Sequence, residues 1–162
     1  MERSANVDRF CPVLVLACEL ERLHRNKEIT MNFVSTRIIT DDVARLVDFY
    51  ERATGVQASW ANEDFAEIRT TSATLAIGST RTVPLFAPGA ARPADNRTVI
   101  IEFLVDDVDG AHQNLAGFVE NFVNEPTTMP WGNRSLLFRD PDGNLVNFFT
   151  PVTPAAIEKY AR

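Results

Sequence analysis

One order of strand, helix and turn signals is written twice along this chain, and that repetition restricts its fold more than any other feature. Residues 33–40 are rich in β-branched side chains and read as a strand; Asp41-Asp42 then opens a helix with Val43, Leu46, Val47 and Tyr50 on one face and Gly55 at its end. Short strand candidates follow at residues 56–60, 65–70 and 74–77. After a connection over residues 80–97 the order restarts with a strand over 99–105, the acidic pair Asp106-Asp107, and a helix carrying Val108, Ala111, Leu115 and Phe118. Strand candidates at 121–124, 135–139 and 145–149 close the second unit. Each unit is βαβββ, and a fixed internal period of this kind marks duplicated architecture. Asp140-Pro141-Asp142-Gly143 is a tight turn by its own chemistry, because proline presets one dihedral and glycine accepts positive φ. It predicts a hairpin between the last two strands. Thr153-Pro154 then supplies a cap and a first-turn proline for a short terminal helix over 153–161.

A length of 162 residues with 45% apolar residues suits one domain with its own core. The formal charge of −6 argues against nucleic acid or an anionic membrane as partner, since both need a basic face. Cys11, Cys18 and His24 lie in the first thirty residues, and from Met31 onward there is no cysteine and only His112. That distribution excludes a disulfide scaffold and a Cys/His metal cluster in the main domain. Phosphate-cradling glycine loops, dinucleotide fingerprints and Gly-x-Ser-x-Gly are absent from the sequence, and His112, the counterpart of Val47 on the helix, has no second histidine for a dyad.

Residues 1–30 read as an extension to a domain spanning 31–162. The apolar run from Cys11 to Cys18 is too short to span a bilayer, and Glu2 and Asp8 disfavour a signal peptide, so a cytoplasmic protein is expected. Two readings of the extension stand side by side: a helix with Val13, Leu16, Leu20 and Leu23 on one face, or leader sequence ahead of a start at Met31, since Asn26-Lys27-Glu28 can be encoded by a purine-rich ribosome-binding stretch.

The two βαβββ units, the acidic pair at each helix start and Arg139-Asp140-Pro141-Asp142-Gly143-Asn144 before the last strand together resemble the vicinal-oxygen-chelate superfamily of glyoxalases, bleomycin-resistance proteins and extradiol dioxygenases. The resemblance covers about residues 33–152. It implies an α+β fold in which modules at about 33–79 and 98–152 each curl into half of an open barrel. Paired halves, within one chain or across a homodimer, would enclose a small-molecule cavity. In metal-using members the ligands stand on the first and last strand of each module. The matching positions here are Ser35, Ile100 and Asn147, with Ala76 a looser match. None is a firm ligand for a transition metal, so no cofactor is expected.

Strand alternation puts Ser35, Arg37 and Ile39 on one face, with Ile100, Glu102 and Leu104 as their counterparts and Leu145, Asn147 and Phe149 on the last strand. Arg37 and Glu102 form either a buried ion pair joining the modules or a site in which Arg37 meets an acidic ligand group. Trp131, in Met129-Pro130-Trp131-Gly132, and Trp60 are candidates for stacking on a flat ligand or for capping the barrel edge. The sequence therefore predicts a metal-independent binder of a small aromatic or polar molecule. The alternative is a lyase, isomerase or dioxygenase of the same superfamily that uses a displaced divalent-metal site, for which Glu67 and Glu102 are the candidate carboxylates, or uses Glu67 and Glu102 as acid and base, and a pure dimerisation module is a third reading.

Overall fold

A computed structural model of the protein describes residues 31–161, so both readings of residues 1–30 lie outside the described residues. The first module comprises β1 (Ser35–Thr40), α1 (Val43–Thr54), β2 (Ser59–Asn62), β3 (Phe65–Arg69) and β4 (Thr74–Ser79). A 3-10 turn, Thr80–Leu85, begins the connection to the second module. That module comprises β5 (Ile100–Leu104), α2 (Val108–Leu115), β6 (Thr127–Thr128), β7 (Asn133–Arg139) and β8 (Leu145–Pro151), and α3 (Pro154–Tyr160) follows. Among the described residues no helix is long and apolar enough to cross a membrane.

The duplication is carried into topology. The two four-stranded sheets have orders β1-β4-β3-β2 and β5-β8-β7-β6, with the first and last strands of each module parallel and the others antiparallel. This is the expected α+β arrangement of two βαβββ halves, each an open sheet. Both module helices start as the acidic pairs predict: the Asp42 side chain accepts from the Arg45 amide at 3.0 Å and that of Asp107 from the Asp109 amide at 3.1 Å. Gly55, at φ 71°, ends α1 in the left-handed region and its N–H donates to the Glu51 carbonyl.

Val43, Leu46, Val47, Phe49 and Tyr50 of α1 are buried, and they join Ala66, Ile68 and Ile77 with Ile101, Leu136, Phe138, Val146 and Phe148 in one apolar cluster. The modules thus share a core instead of folding as separate beads. Phe49 makes the junction, its ring 5.8 Å from that of Phe118 and 6.2 Å from that of Phe138. Burial of each such side chain contributes roughly 1.5–3 kcal/mol.

Two local expectations shift. The strand expected at 121–124 is not regular: Phe122 bridges to Phe138, but the Leu137 amide donates to the side chain of Asn124 at 2.6 Å, so a side chain replaces the backbone acceptor and breaks the ladder. Pairing resumes only at β6. Phe118 also falls beyond α2, in a turn where its amide donates to the Leu115 carbonyl.

The predicted hairpin is present, Gly143 sitting at φ 81° with its amide donating to the Asp140 carbonyl. Its Asp140 carboxylate is buried and accepts four bonds: the Tyr50 hydroxyl at 2.9 Å, the Asn144 side-chain amide at 2.8 Å, and the Asp142 and Asn144 backbone amides at 3.0 and 2.9 Å. Asn96, from the connection, donates to Asn144 at 3.2 Å, and Arg45 pairs with Asp142. Burial pushes the Asp140 carboxyl above its ordinary range, against the lowering effect of its donors. Burial and the neighbouring Asp140 charge push the Tyr50 phenol well up, so it stays protonated and serves as the donor.

Tyr50→Phe should therefore cost about 1–3 kcal/mol in urea unfolding, because a buried charge loses a donor. The folded protein also keeps a phenol proton that the unfolded chain releases near pH 10. Stability present below about pH 10 should fall as pH rises above it, and Tyr50→Phe should flatten that slope.

Candidate functional site

Because the core lies on the helix side of both sheets, each sheet has a distal face turned away from it. On the first sheet the register aligns Arg37, Ala76, Glu67 and Ser59 in one row across four strands. On the second it aligns Glu102, Asn147 and Leu137. The parallel pairings Arg37–Ala76 and Glu102–Asn147 make Ala76 the counterpart of Asn147 and so confirm the looser of the sequence alignments.

Arg37 projects between two rings, its guanidinium carbon 4.8 Å from the centroid of Phe65 and 5.4 Å from that of Phe86. Among the described residues it has no carboxylate partner. Ser35 lies one step along the same face, opposite Thr74, and is exposed. Glu67 accepts from Arg69 Nε at 3.0 Å on the solvent side of the row. Arg37 also lines a cavity of about 220 Å³ with Thr36, Val99, Asn96 and Asn144. A larger one, about 400 Å³, lies between the end of α1 and β5 and includes none of the site residues expected from the sequence.

On the second sheet, Asn147 Nδ2 donates to Glu102 Oε1 at 2.8 Å. Arg37 and Glu102 form no ion pair within the chain, which corrects the expectation of a buried bridge between modules. Their equivalence under the repeat puts them on corresponding strands of two different sheets, and the shared core, not a common cavity, joins those sheets. Glu67 and Glu102 are divided between the two sheets in the same way.

Trp131 is 67% exposed at the third position of a turn closed by the Gly132 amide on the Met129 carbonyl, with Pro130 second. Trp60 stands apart from the other candidates. It pairs with Ala66, whose side chain belongs to the core, so Trp60 lies on the helix side of its sheet, opposite to Arg37 and Glu67. His112 is partly buried, edge-on to Phe122 at 4.8 Å.

Sequence reasoning missed Phe65 and Phe86, which hold Arg37, and also Ser135, which lies on the distal face of β7 opposite Phe149. Alternation from Glu67 and Leu137 was signal enough for Phe65 and Ser135. Phe86 lies in an irregular connection with no periodicity to read.

A transition metal does not fit these positions. Ala76 and Ile100 carry no donor atom, Ser35 offers a neutral hydroxyl, and the Asn147 amide is oriented by its own N–H bond to Glu102. Among the described residues no group of three or more His, Cys, Asp or Glu side chains could hold a metal ion.

The Glyoxalase/Bleomycin resistance protein/Dioxygenase superfamily profile matches residues 32–148. The uncharacterized protein YraH of Bacillus subtilis is 23% identical over 125 residues, covering 74% of this chain and 98% of its own. Among solved structures, a glyoxalase/bleomycin resistance protein/dioxygenase from Nocardioides superposes with a TM-score of 0.66 at 21% identity, over 85% of this chain and 95% of that one. A protein of unknown function from Agrobacterium tumefaciens does so with a TM-score of 0.66 at 25% identity, over 76% and 97%.

Gly132, at φ 92°, holds the Trp131 turn against α3: its carbonyl accepts from the Val152 and Thr153 amides, and a Cβ there would stand 2.1 Å from Thr153 Oγ1. Thr153 is the cap of α3. Gly132→Ala should cost about 2–3 kcal/mol, combining left-handed strain with a displaced cap, and a thermal melt monitored by circular dichroism should show it.

Proposed function

The chain belongs to the glyoxalase/bleomycin resistance protein/dioxygenase superfamily, and from that membership we propose that it binds a small organic molecule through its distal faces without a metal ion. The observation that carries this reading is Arg37. An arginine held between two aromatic rings, with no carboxylate to neutralise it among the described residues, presents its planar donor fork to whatever arrives. A carboxylate or another flat acceptor on an aromatic body matches that fork and the flanking rings. Trp131 adds an exposed stacking surface on the other module.

A second copy of the chain completes the site in this proposal. Each chain has two open half-sites, and exposed Val99, Ile100 and Leu104 run along β5, an edge strand of its sheet, beside Glu102. Setting β1 of one copy along β5 of another would cover this apolar strip and turn Arg37 and Glu102 toward a common chamber.

Titration of tryptophan fluorescence with substituted benzoates should show saturable binding, and Arg37→Met should weaken it by about tenfold or more. Equal affinity of the two proteins would remove Arg37 from the site. A stoichiometric divalent cation in the native protein, with activity lost on chelation, would replace this reading by a metal-dependent lyase, isomerase or dioxygenase. In sedimentation the native protein should run as a dimer and Leu104→Asp as a monomer; a native monomer would leave the half-sites unpaired.

A further inference from the structure

Among the described residues, the distal face of the second sheet leaves buried polar atoms without partners, and all of them ask for a donor or can take one. Asn147, 8% exposed, commits its Nδ2 to Glu102, so its Oδ1 is oriented away from that bond, and Oδ1 has no partner. Ser135, 1% exposed, has an unpartnered Oγ. Ser135 pairs with Phe149 and Leu137 with Asn147, so Ser135 and Asn147 share a face one diagonal step apart, roughly 7–8 Å between backbones. Asn133, two residues further along β7 toward Trp131, likewise has a buried Oδ1 with no partner. Beside them the Glu102 carboxylate accepts, among the described residues, one hydrogen bond, at Oε1 from Asn147 Nδ2.

An unpaired buried acceptor costs roughly 1–3 kcal/mol, and such groups are rare unless something else satisfies them. Here the set is a carboxylate, two amide carbonyls and a hydroxyl, with Ile100, Leu137 and Phe149 beside them on the same face and the Phe149 ring 5.1 Å from that of Tyr160 on α3. Its complement carries several N–H donors, a positive charge and an apolar body. A hard metal ion matches less well, because it takes six or more oxygens and one carboxylate supplies most of the charge here.

We propose that this face binds a small organic ligand through a protonated amino group set against the Glu102 carboxylate, with further donors on the ligand meeting Asn147 Oδ1 and Ser135 Oγ. The proposal rests on the small-molecule reading above and specifies its chemistry. It makes the two half-sites opposite in kind, Arg37 taking an acidic group and the second sheet a basic one.

Benzylamine, its neutral isostere benzyl alcohol, and benzoate are the probes, followed by backbone amide shifts of the full-length protein in NMR titrations. Benzylamine should shift residues of β5, β7 and β8 and bind the native protein about tenfold or more tightly than benzyl alcohol. Glu102→Gln, an exposed and near-isosteric change, should erase that preference. Ser135→Ala should leave the thermal midpoint unchanged or higher, because it removes a buried hydroxyl that has no partner among the described residues. Equal binding of amine and alcohol, an amine preference that survives Glu102→Gln, or stoichiometric magnesium displacing benzylamine through Glu102 would each overturn the proposal. Benzoate binding without any amine preference would defeat it and leave the broader reading standing. If none of the three probes shifts either distal face, both readings fall together.

Discussion

The carboxylate of Asp140 ties together parts of the chain that are distant in sequence. It closes its own hairpin through two backbone amides, fixes Asn144, and takes the Tyr50 hydroxyl from the helix of the other module. Through Asn144 it also reaches Asn96 in the inter-module connection. Burying an ionised carboxylate is costly unless several donors surround it, and the cost rises steeply when one is withdrawn. The relative placement of helix, hairpin and connection is therefore set together, and the Phe49 contacts with Phe118 and Phe138 pack around that arrangement.

This packing decides what the molecule can offer a ligand. With both helix-covered faces spent on a common core, the polar rows containing Arg37 and Glu102 are left on the remaining faces. The repeat supplied two equivalent rows, and they have diverged. The first carries Arg37 between two rings beside a Glu67 already paired with Arg69, while the second is anionic and rich in acceptors. At the positions where the resemblance expects metal ligands, these rows carry Ser35, Ala76, Ile100 and Asn147, two of them without a donor atom.

Much of the architecture was legible because its signals are local. Asp42 and Asp107 start helices and Gly55 ends one by their own chemistry, and the Asp140–Gly143 turn needs no distant partner to form. What failed was non-local. Asn124 substitutes its side chain for a backbone acceptor, which no propensity scale anticipates. Trp60 lies beside a register shift between Trp60 and Asn62 on β2, and its face follows from pairing with Ala66. Arg37 and Glu102 were correctly matched as equivalents, but equivalence under a repeat does not mean proximity. That depends on how the modules pack, which is decided by Phe49 and Tyr50. The orphaned oxygens of Ser135 and Asn147 became visible only once every neighbour had been placed.

β1 and β5 occupy the same edge of two sheets of the same design. A surface carried twice by one chain in related but unequal forms can dock head to tail, and such contacts end in a closed ring only when the rotation between successive copies is right. Otherwise they continue into a fibre. In any such contact between copies, the charge on each strand, Arg37 on β1 and Glu102 on β5, would disfavour like edges and favour unlike ones.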